Sequence, residues 1–178
     1  MKVLSLCGSL RRDSINAALL RAAQRVAPDG ITLTCCEAVA VLPLFNPDLE
    51  APAAVRALYA DVHDADALLI ASPEYAHGVS GTIKNALDWL VSFEPFVHIP
   101  VAVFNASPRA HHADDALRET LRTMSAHVAE RACLSVPLLG SSLDEDGMVS
   151  DAAVVQGLRT ALQELHHAFH QSPLARLR

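Results

Sequence analysis

Ser9, Arg11, Arg12, Ser14 and Asn16 crowd into the run Gly8-Ser9-Leu10-Arg11-Arg12-Asp13-Ser14-Ile15-Asn16, which closes an apolar stretch and opens a helical pattern. Two hydroxyls, a side-chain amide, one guanidinium and the free amides of a helix start can converge on a single phosphate. The run lacks the Gly-Lys-Ser/Thr ending of a P-loop and the Gly-x-Gly-x-x-Gly turn that seats a pyrophosphate. It therefore suits a mononucleotide, and favours FMN over FAD or a nicotinamide dinucleotide as the tightly held ligand. The same residues also have a purely structural use, with Ser14 capping the helix, Gly8 making the turn and both arginines in solvent.

A second run, Ser72 to Trp89, follows another apolar stretch and leads into another helix. A loop at a strand's carboxyl end is where an open parallel sheet binds its ligand. Pro73 fixes one torsion, and Gly78 and Gly81 can take positive ones, so that the loop can present its peptide groups to a flat ligand at close range. Tyr75 and His77 are able to donate a proton or stack on a substrate, or else to shape the pocket wall. Glu74 and Asp88 form no paired-carboxylate site, and Lys84 and Asp88, at i and i+4, are expected to pair.

Other reactive side chains carry less. Nine histidines include His111 with His112 and His166 with His167 and His170. His166 and His170 lie one helical turn apart, but no third ligand with a supporting shell stands out, and no metal site is expected. Cys7, Cys35, Cys36 and Cys133 show neither metal-ligand nor Cys-x-x-Cys spacing and read as buried thiols, with Cys35 and Cys36 on opposite faces of a strand.

These loops need elements to hold them. Residues 2–7, 67–71, 101–104 and 132–136 are short, nearly continuous apolar runs, the pattern of strands covered on both faces, and 31–36 makes a fifth. Between them apolar residues recur at helical spacing: Ile15 to Val26, Val55 to Val62, Ile83 to Val91, Leu117 to Val128 and, last, Val154 to Phe169. Strand and helix alternate five times, which predicts an α/β three-layer sandwich around a five-stranded parallel sheet. Five strands suit the flavodoxin-like order 2-1-3-4-5. The connection from Val39 to Pro52, with Pro43, Pro47 and Pro52, is long for such a fold. Residues 137–151 read as an irregular excursion, with Ser150 or Asp151 capping the last helix. Trp89, Phe93 and Phe96, beside Pro95 and Pro100, are expected at an interface.

At 178 residues and 51 % hydrophobic, the chain is read as a single domain over 1–178 that needs no staples. A net charge of −6, with lysine only at Lys2 and Lys84, argues against a nucleic-acid partner. The apolar start is broken by Gly8, Arg11 and Arg12 too early for a secretory signal, and no stretch approaches a membrane span, so a soluble, cytoplasmic protein with no membrane partner is expected.

With both loops in view, the chain resembles the NADPH-dependent FMN reductase family, the flavodoxin-like quinone, azo-dye and chromate reductases. The resemblance rests on Gly8-Ser-Leu-Arg-x-x-Ser-x-Asn16, Leu42-Pro-Leu-Phe-Asn46, Pro73-Glu-Tyr-Ala-His-Gly78 and Gly81-x-x-Lys-Asn-x-x-Asp-Trp89. It implies that Ser9, Arg11, Ser14 and Asn16 hold the FMN phosphate, with Arg11 rather than Arg12 as the family's arginine. Pro73, Glu74, Tyr75, Ala76, His77 and Gly78 would wrap one edge of the isoalloxazine, largely through backbone groups. The helix around Lys84 to Trp89 would meet a partner subunit in a homodimer or homotetramer. The loop after Asn105 departs from the family in having no glycine; Ser107 and Arg109 are its candidates for the ribityl chain or pyrimidine edge. Ser80 stands where many relatives have proline and is expected to loosen its loop.

A flavin carries its own redox chemistry, so no side-chain nucleophile is needed. The implied activity is a ping-pong cycle in which NADPH or NADH passes hydride to FMN and a quinone, free flavin or other small acceptor then takes the electrons. Two other readings stand beside it: a flavodoxin-type electron carrier without nicotinamide turnover, and a non-catalytic, flavin-free sensor of the same fold.

Overall fold

The computed structural model describes residues 1–107, 109, 111–138 and 143–176. In chain order the elements are β1 (Lys2–Cys7), α1 (Ile15–Arg25), β2 (Thr32–Cys35), α2 (Ala53–Asp64) and β3 (Ala67–Ala71). The hairpin strands β4 (Glu74–Tyr75) and β5 (Gly78–Val79) follow, then α3 (Gly81–Leu90), β6 (Pro100–Asn105) and α4 (His111–Thr123). The chain finishes with β7 (His127–Val128), β8 (Leu134–Ser135), α5 (Glu145–Ser150) and α6 (Ala152–Gln171).

Every residue of β3 and β6 is buried, which is why these strands read as unbroken apolar runs: both faces of a central parallel strand are covered by helices. The sheet runs β2-β1-β3-β6-β7, with β8 also paired to β6, and all its pairings are parallel. Alternation along β3 divides the core. Ala67, Leu69 and Ala71 pack with Leu19 of α1 and Leu158 and Leu162 of α6, while Leu68 and Ile70 pack with Leu58 of α2, Leu87 of α3 and Leu117 of α4. This is the expected three-layer sandwich in the order 2-1-3-4-5, with one difference at its last strand.

The fifth strand is split. β7 pairs with the start of β6 and β8 with its end, and a turn of 3-10 helix, Glu130–Ala132, separates them. At the gap the Val103 amide donates to Cys133 Sγ at 3.3 Å instead of to a strand carbonyl, so a buried donor keeps a partner where the ladder is interrupted. The apolar run 132–136 marks the second piece; the first, two residues long, has no periodicity to show.

Helix ends follow side-chain chemistry. Ser14 accepts from Ala17 N at the start of α1, and Asp151, the acid of the two candidates, accepts from Ala153 N and Val154 N at the start of α6. The region read as an irregular excursion contains α5, capped by Asp144; residues 139–142 of it lie outside the described residues.

The aromatic cluster belongs to the core of the chain rather than to an interface. Trp89 and Phe96 are buried, and Phe93 stacks on Tyr59 with centroids 4.4 Å apart. The Tyr59 hydroxyl donates to Trp89 O at 2.8 Å. Among the cysteines, Cys36 is buried and Cys35 is exposed, while Cys7 and Cys133 are half-buried, so the expectation of four buried thiols holds in full only at Cys36 and fails outright at Cys35. Burial pushes the Cys36 thiol up to about 12 and raises Cys7 and Cys133, which leaves these three protonated and inert at neutral pH.

Candidate flavin cleft

Three loops meet at the carboxyl ends of the adjacent strands β1, β3 and β6. Between them lies a cleft of about 250 Å³, walled by Ile15 and Asn16 from the first loop, Ser72 to Glu74 from the second, and Asn105 to Ser107 with Arg109 from the third. This is the crevice position expected for an open α/β sheet.

The first and second loops touch because Gly8 has no side chain. Its amide donates to Ala71 O at 2.8 Å, and a methyl group at this position would stand 2.4 Å from Ser72 Oγ, 2.7 Å from Ser80 Oγ and 2.8 Å from Ile83 Cγ1. Those two hydroxyls bond each other at 3.1 Å, and Ser80 also accepts from Ile83 N as the cap of α3. Ser80 therefore fastens its loop instead of loosening it: a hydroxyl caps a helix where a proline ring has nothing to offer the same amide.

Asn16 is buried and lines the cleft, yet its side-chain amide forms no hydrogen bond with the described residues. Ser14 is buried and its hydroxyl is engaged as the helix cap. Ser9 Oγ lies 3.4 Å from Arg11 N, and the Arg11 side chain is exposed. Arg12 faces a second depression, between α1 and the start of α5, with Ser14, Arg21 and Glu145.

The second loop is a tight hairpin with Glu74 opposite Val79 and Tyr75 opposite Gly78. Its two turn residues are Ala76, with φ 49°, and His77, with φ 60°. The positive torsions thus fall on these two rather than on Gly78 and Gly81, because a two-residue hairpin loop of the mirror-image type needs both central residues left-handed. Tyr75, Ala76 and His77 are exposed at the tip and do not line the cleft. Pro73 and Glu74 do.

Glu74 reaches the third loop. Its Oε2 accepts from Ala113 N at 2.8 Å, in the first turn of α4. On the same side, the His77 ring lies 4.4 Å from that of His112, which lies 4.1 Å from that of His111. Asn105 Oδ1 accepts from Ser107 N at 2.9 Å, and Ser107 Oγ lies 3.3 Å from Arg109 N. Side-chain hydrogen bonds thus hold the backbone at Ser107 and Arg109, two of the described residues of the glycine-free third loop. Of the residues singled out in the sequence, Asn16, Pro73, Glu74, Ser107 and Arg109 share the cleft wall; Ser9, Arg11, Ser14, Tyr75, Ala76, His77 and Gly78 flank it.

Asn85 has a role that its type and spacing do not announce. Its amide donates to Pro43 O at 2.9 Å and its Oδ1 accepts from Phe45 N at 2.8 Å, while the Trp89 indole also donates to Pro43 O at 2.9 Å. Phe45 meets Trp89 edge to face, centroids 5.1 Å apart. The Leu42-to-Asn46 segment is therefore fastened to α3. Lys84 and Asp88 pair as expected. His166 and His170 bring their Nε2 atoms to 2.9 Å, and no group of three metal-ligating side chains occurs among the described residues. Nor, among them, is any helix long and apolar enough to cross a membrane.

Residues 1–138 match the sequence model of the NADPH-dependent FMN reductase family. An NAD(P)H-dependent FMN reductase of Pseudomonas aeruginosa is 32 % identical over 173 residues, covering 93 % of each chain. A probable NADPH:quinone oxidoreductase of rice, Oryza sativa subsp. japonica, is 32 % identical over 181 residues, covering 93 % of this chain and 90 % of that protein. Among solved structures, a flavoenzyme NAD(P)H:(acceptor) oxidoreductase from Paracoccus denitrificans superposes with a TM-score of 0.78 at 24 % identity, over 96 % of this chain and 97 % of the other. That likeness concerns the fold.

Proposed function

The chain belongs to the NADPH-dependent FMN reductase family and is an FMN-dependent NAD(P)H oxidoreductase; from that premise we propose that a quinone is its acceptor and that donor and acceptor occupy one cleft in turn. The observation that carries the site is the cleft where three loops converge, with Asn16 on its wall and its side-chain amide making no hydrogen bond with the described residues. A ligand with phosphoryl or hydroxyl oxygens would give that amide a partner. The residues present fit such a ligand: Gly8 admits close approach of two loops, and the start of α1 favours an anion.

Ser9, Arg11, Ser14 and Asn16 would hold the phosphate, the backbone of residues 73 to 78 the ring, and Ser107 and Arg109 the part between. Bound FMN supplies the hydride chemistry. The chain would position it, and the Cys7 thiol at the end of β1 is held protonated by burial. Exposed Tyr75 and His77, which flank the cleft, would shape the approach of a flat acceptor. A quinone acceptor is supported by the relative named for that substrate, which matches over 93 % of this chain.

Two copies would associate beside α3. Leu44, on the segment fastened to that helix, is 85 % exposed and Val41, just before it, 70 %, and exposed apolar side chains of this kind gain from a partner surface. The decisive experiment is anaerobic: NADPH is added to the purified protein, the flavin band is followed, and a benzoquinone is then introduced. Bleaching followed by full recovery supports the reading. A flavin band that persists under NADPH sinks the enzymatic role and leaves an electron carrier.

A further inference from the structure

We propose that Glu74 and His77 are positioning residues that clamp the β4–β5 hairpin to the first turn of α4, making the second and third loops a single wall of the cleft; this rests on the reading that residues 73 to 78 hold the flavin ring. A hairpin of two residues per strand is marginal alone, and this one also carries two non-glycine residues with positive φ in its turn. Such a conformation persists where its surroundings over-determine it.

The surroundings that do so come from α4. The amides of a helix's first turn have no intrahelical acceptors, and the residues just before His111 are Arg109 and Ala110, neither of which supplies a capping oxygen. Asp114, the acid inside the first turn, is paired with Arg118. The cap is instead imported: Glu74 Oε2 takes the Ala113 amide and sets a carboxylate at the positive end of the helix. At the other end of the hairpin, His77 packs on His112. One contact fixes the base of the hairpin and the other its tip. Ser107 and Arg109, just upstream of α4, are thereby placed by the same clamp, and a glycine-free third loop needs no freedom of its own to stay on the cleft.

The test uses the protein purified with its flavin, diluted so that released FMN is read as a rise in fluorescence, with hydrogen exchange of residues 111–114 as a second readout. Glu74→Ala should release FMN about tenfold faster and expose the Ala113 amide to exchange, as expected for one lost charge-assisted cap. Glu74→Gln, which keeps an acceptor oxygen, should stay within about threefold of the wild type, and Asp115→Asn, on the same helix, should leave both readouts unchanged. His77→Ala and His112→Ala should each speed release by about threefold, and the double variant by no more than either alone, the signature of one shared contact. Release from Glu74→Ala at the wild-type rate, equal damage from Glu74→Gln, or additive histidine effects each overturn the clamp. Should Glu74→Ala fail to fold, the histidine cycle decides. If the wild-type protein holds no FMN, the cofactor site falls instead, and exchange at Ala113 still judges the clamp.

Discussion

Gly8→Ala is the sharpest probe of how the first two loops are joined. The added methyl group would stand 2.4 Å from Ser72 Oγ, 2.7 Å from Ser80 Oγ and 2.8 Å from Ile83 Cγ1, three contacts closer than real Cβ atoms make, so at least one neighbour must move. Ile83 is fully buried in the core under α3, which leaves the serines to give way. Overpacking of this kind costs about 1–3 kcal/mol. Displacing Ser80 also removes the α3 cap, about 1 kcal/mol more. The expected loss is about 2–4 kcal/mol, which for a chain of this size lowers Tm by about 5–15 °C. Urea unfolding with and without FMN measures it, and flavin retention on gel filtration reports the loops directly. The Gly8→Ala/Ser72→Ala double variant removes the nearest clashing atom and should recover part of the loss. A Gly8→Ala protein within about 0.5 kcal/mol of the wild type, still holding its flavin, would refute the close approach.

Three further outcomes follow from the same geometry. Ala76→Val should cost more than about 1 kcal/mol and Ala76→Gly should be neutral or slightly stabilising, because φ 49° penalises a β-branched residue most and glycine least; thermal melts of the pair check this. Asn85→Ala should cost about 1–3 kcal/mol and free the Leu42-to-Asn46 segment, detected as faster proteolysis there, since the amide serves both Pro43 O and Phe45 N. The Arg21 hydrogen bond, against an opposing effect of burial and with help from Arg25, holds the Glu145 carboxyl below its ordinary value. A depressed folded value means that its contribution is complete above about pH 4.3 and is lost as pH falls through the folded value. Unfolding curves of wild type and Glu145→Gln should therefore differ at pH 7 and converge in acid; a constant gap would reject the pairing.

What the sequence discloses depends on whether a feature repeats. Strands β3 and β6 are legible because burial on both faces makes every residue apolar, and α1 and α6 because their stripes are long and Ser14 and Asp151 mark their starts. Two-residue strands carry no period, so β7 and the β4–β5 hairpin are silent. Glycine was the wrong guide to the turn: the left-handed residues are Ala76 and His77, held by contacts from a helix that begins over thirty residues on. The aromatics at the end of α3 and just beyond it read as an interface because prolines follow them, yet the Tyr59–Phe93 stack and the Trp89–Pro43 bond draw them inward from elements distant in sequence. The cleft follows the same rule. Asn16, Pro73 and Glu74 are found from local motifs, whereas the contact of Gly8 with Ser72 and Ser80 and the span from Glu74 to Ala113 exist only once strands β1, β3 and β6 lie side by side.

The broken fifth strand also governs what the sheet can recruit. An exposed, continuous edge is a template on which a strand from another chain can add. Here a visiting strand would meet two-residue rungs at β7 and β8, kept apart by a 3-10 turn whose Glu130 is bridged to Arg118 and Arg122 and whose Arg131 reaches Glu164. Growth of the sheet from copy to copy is blocked on that side by its own outline.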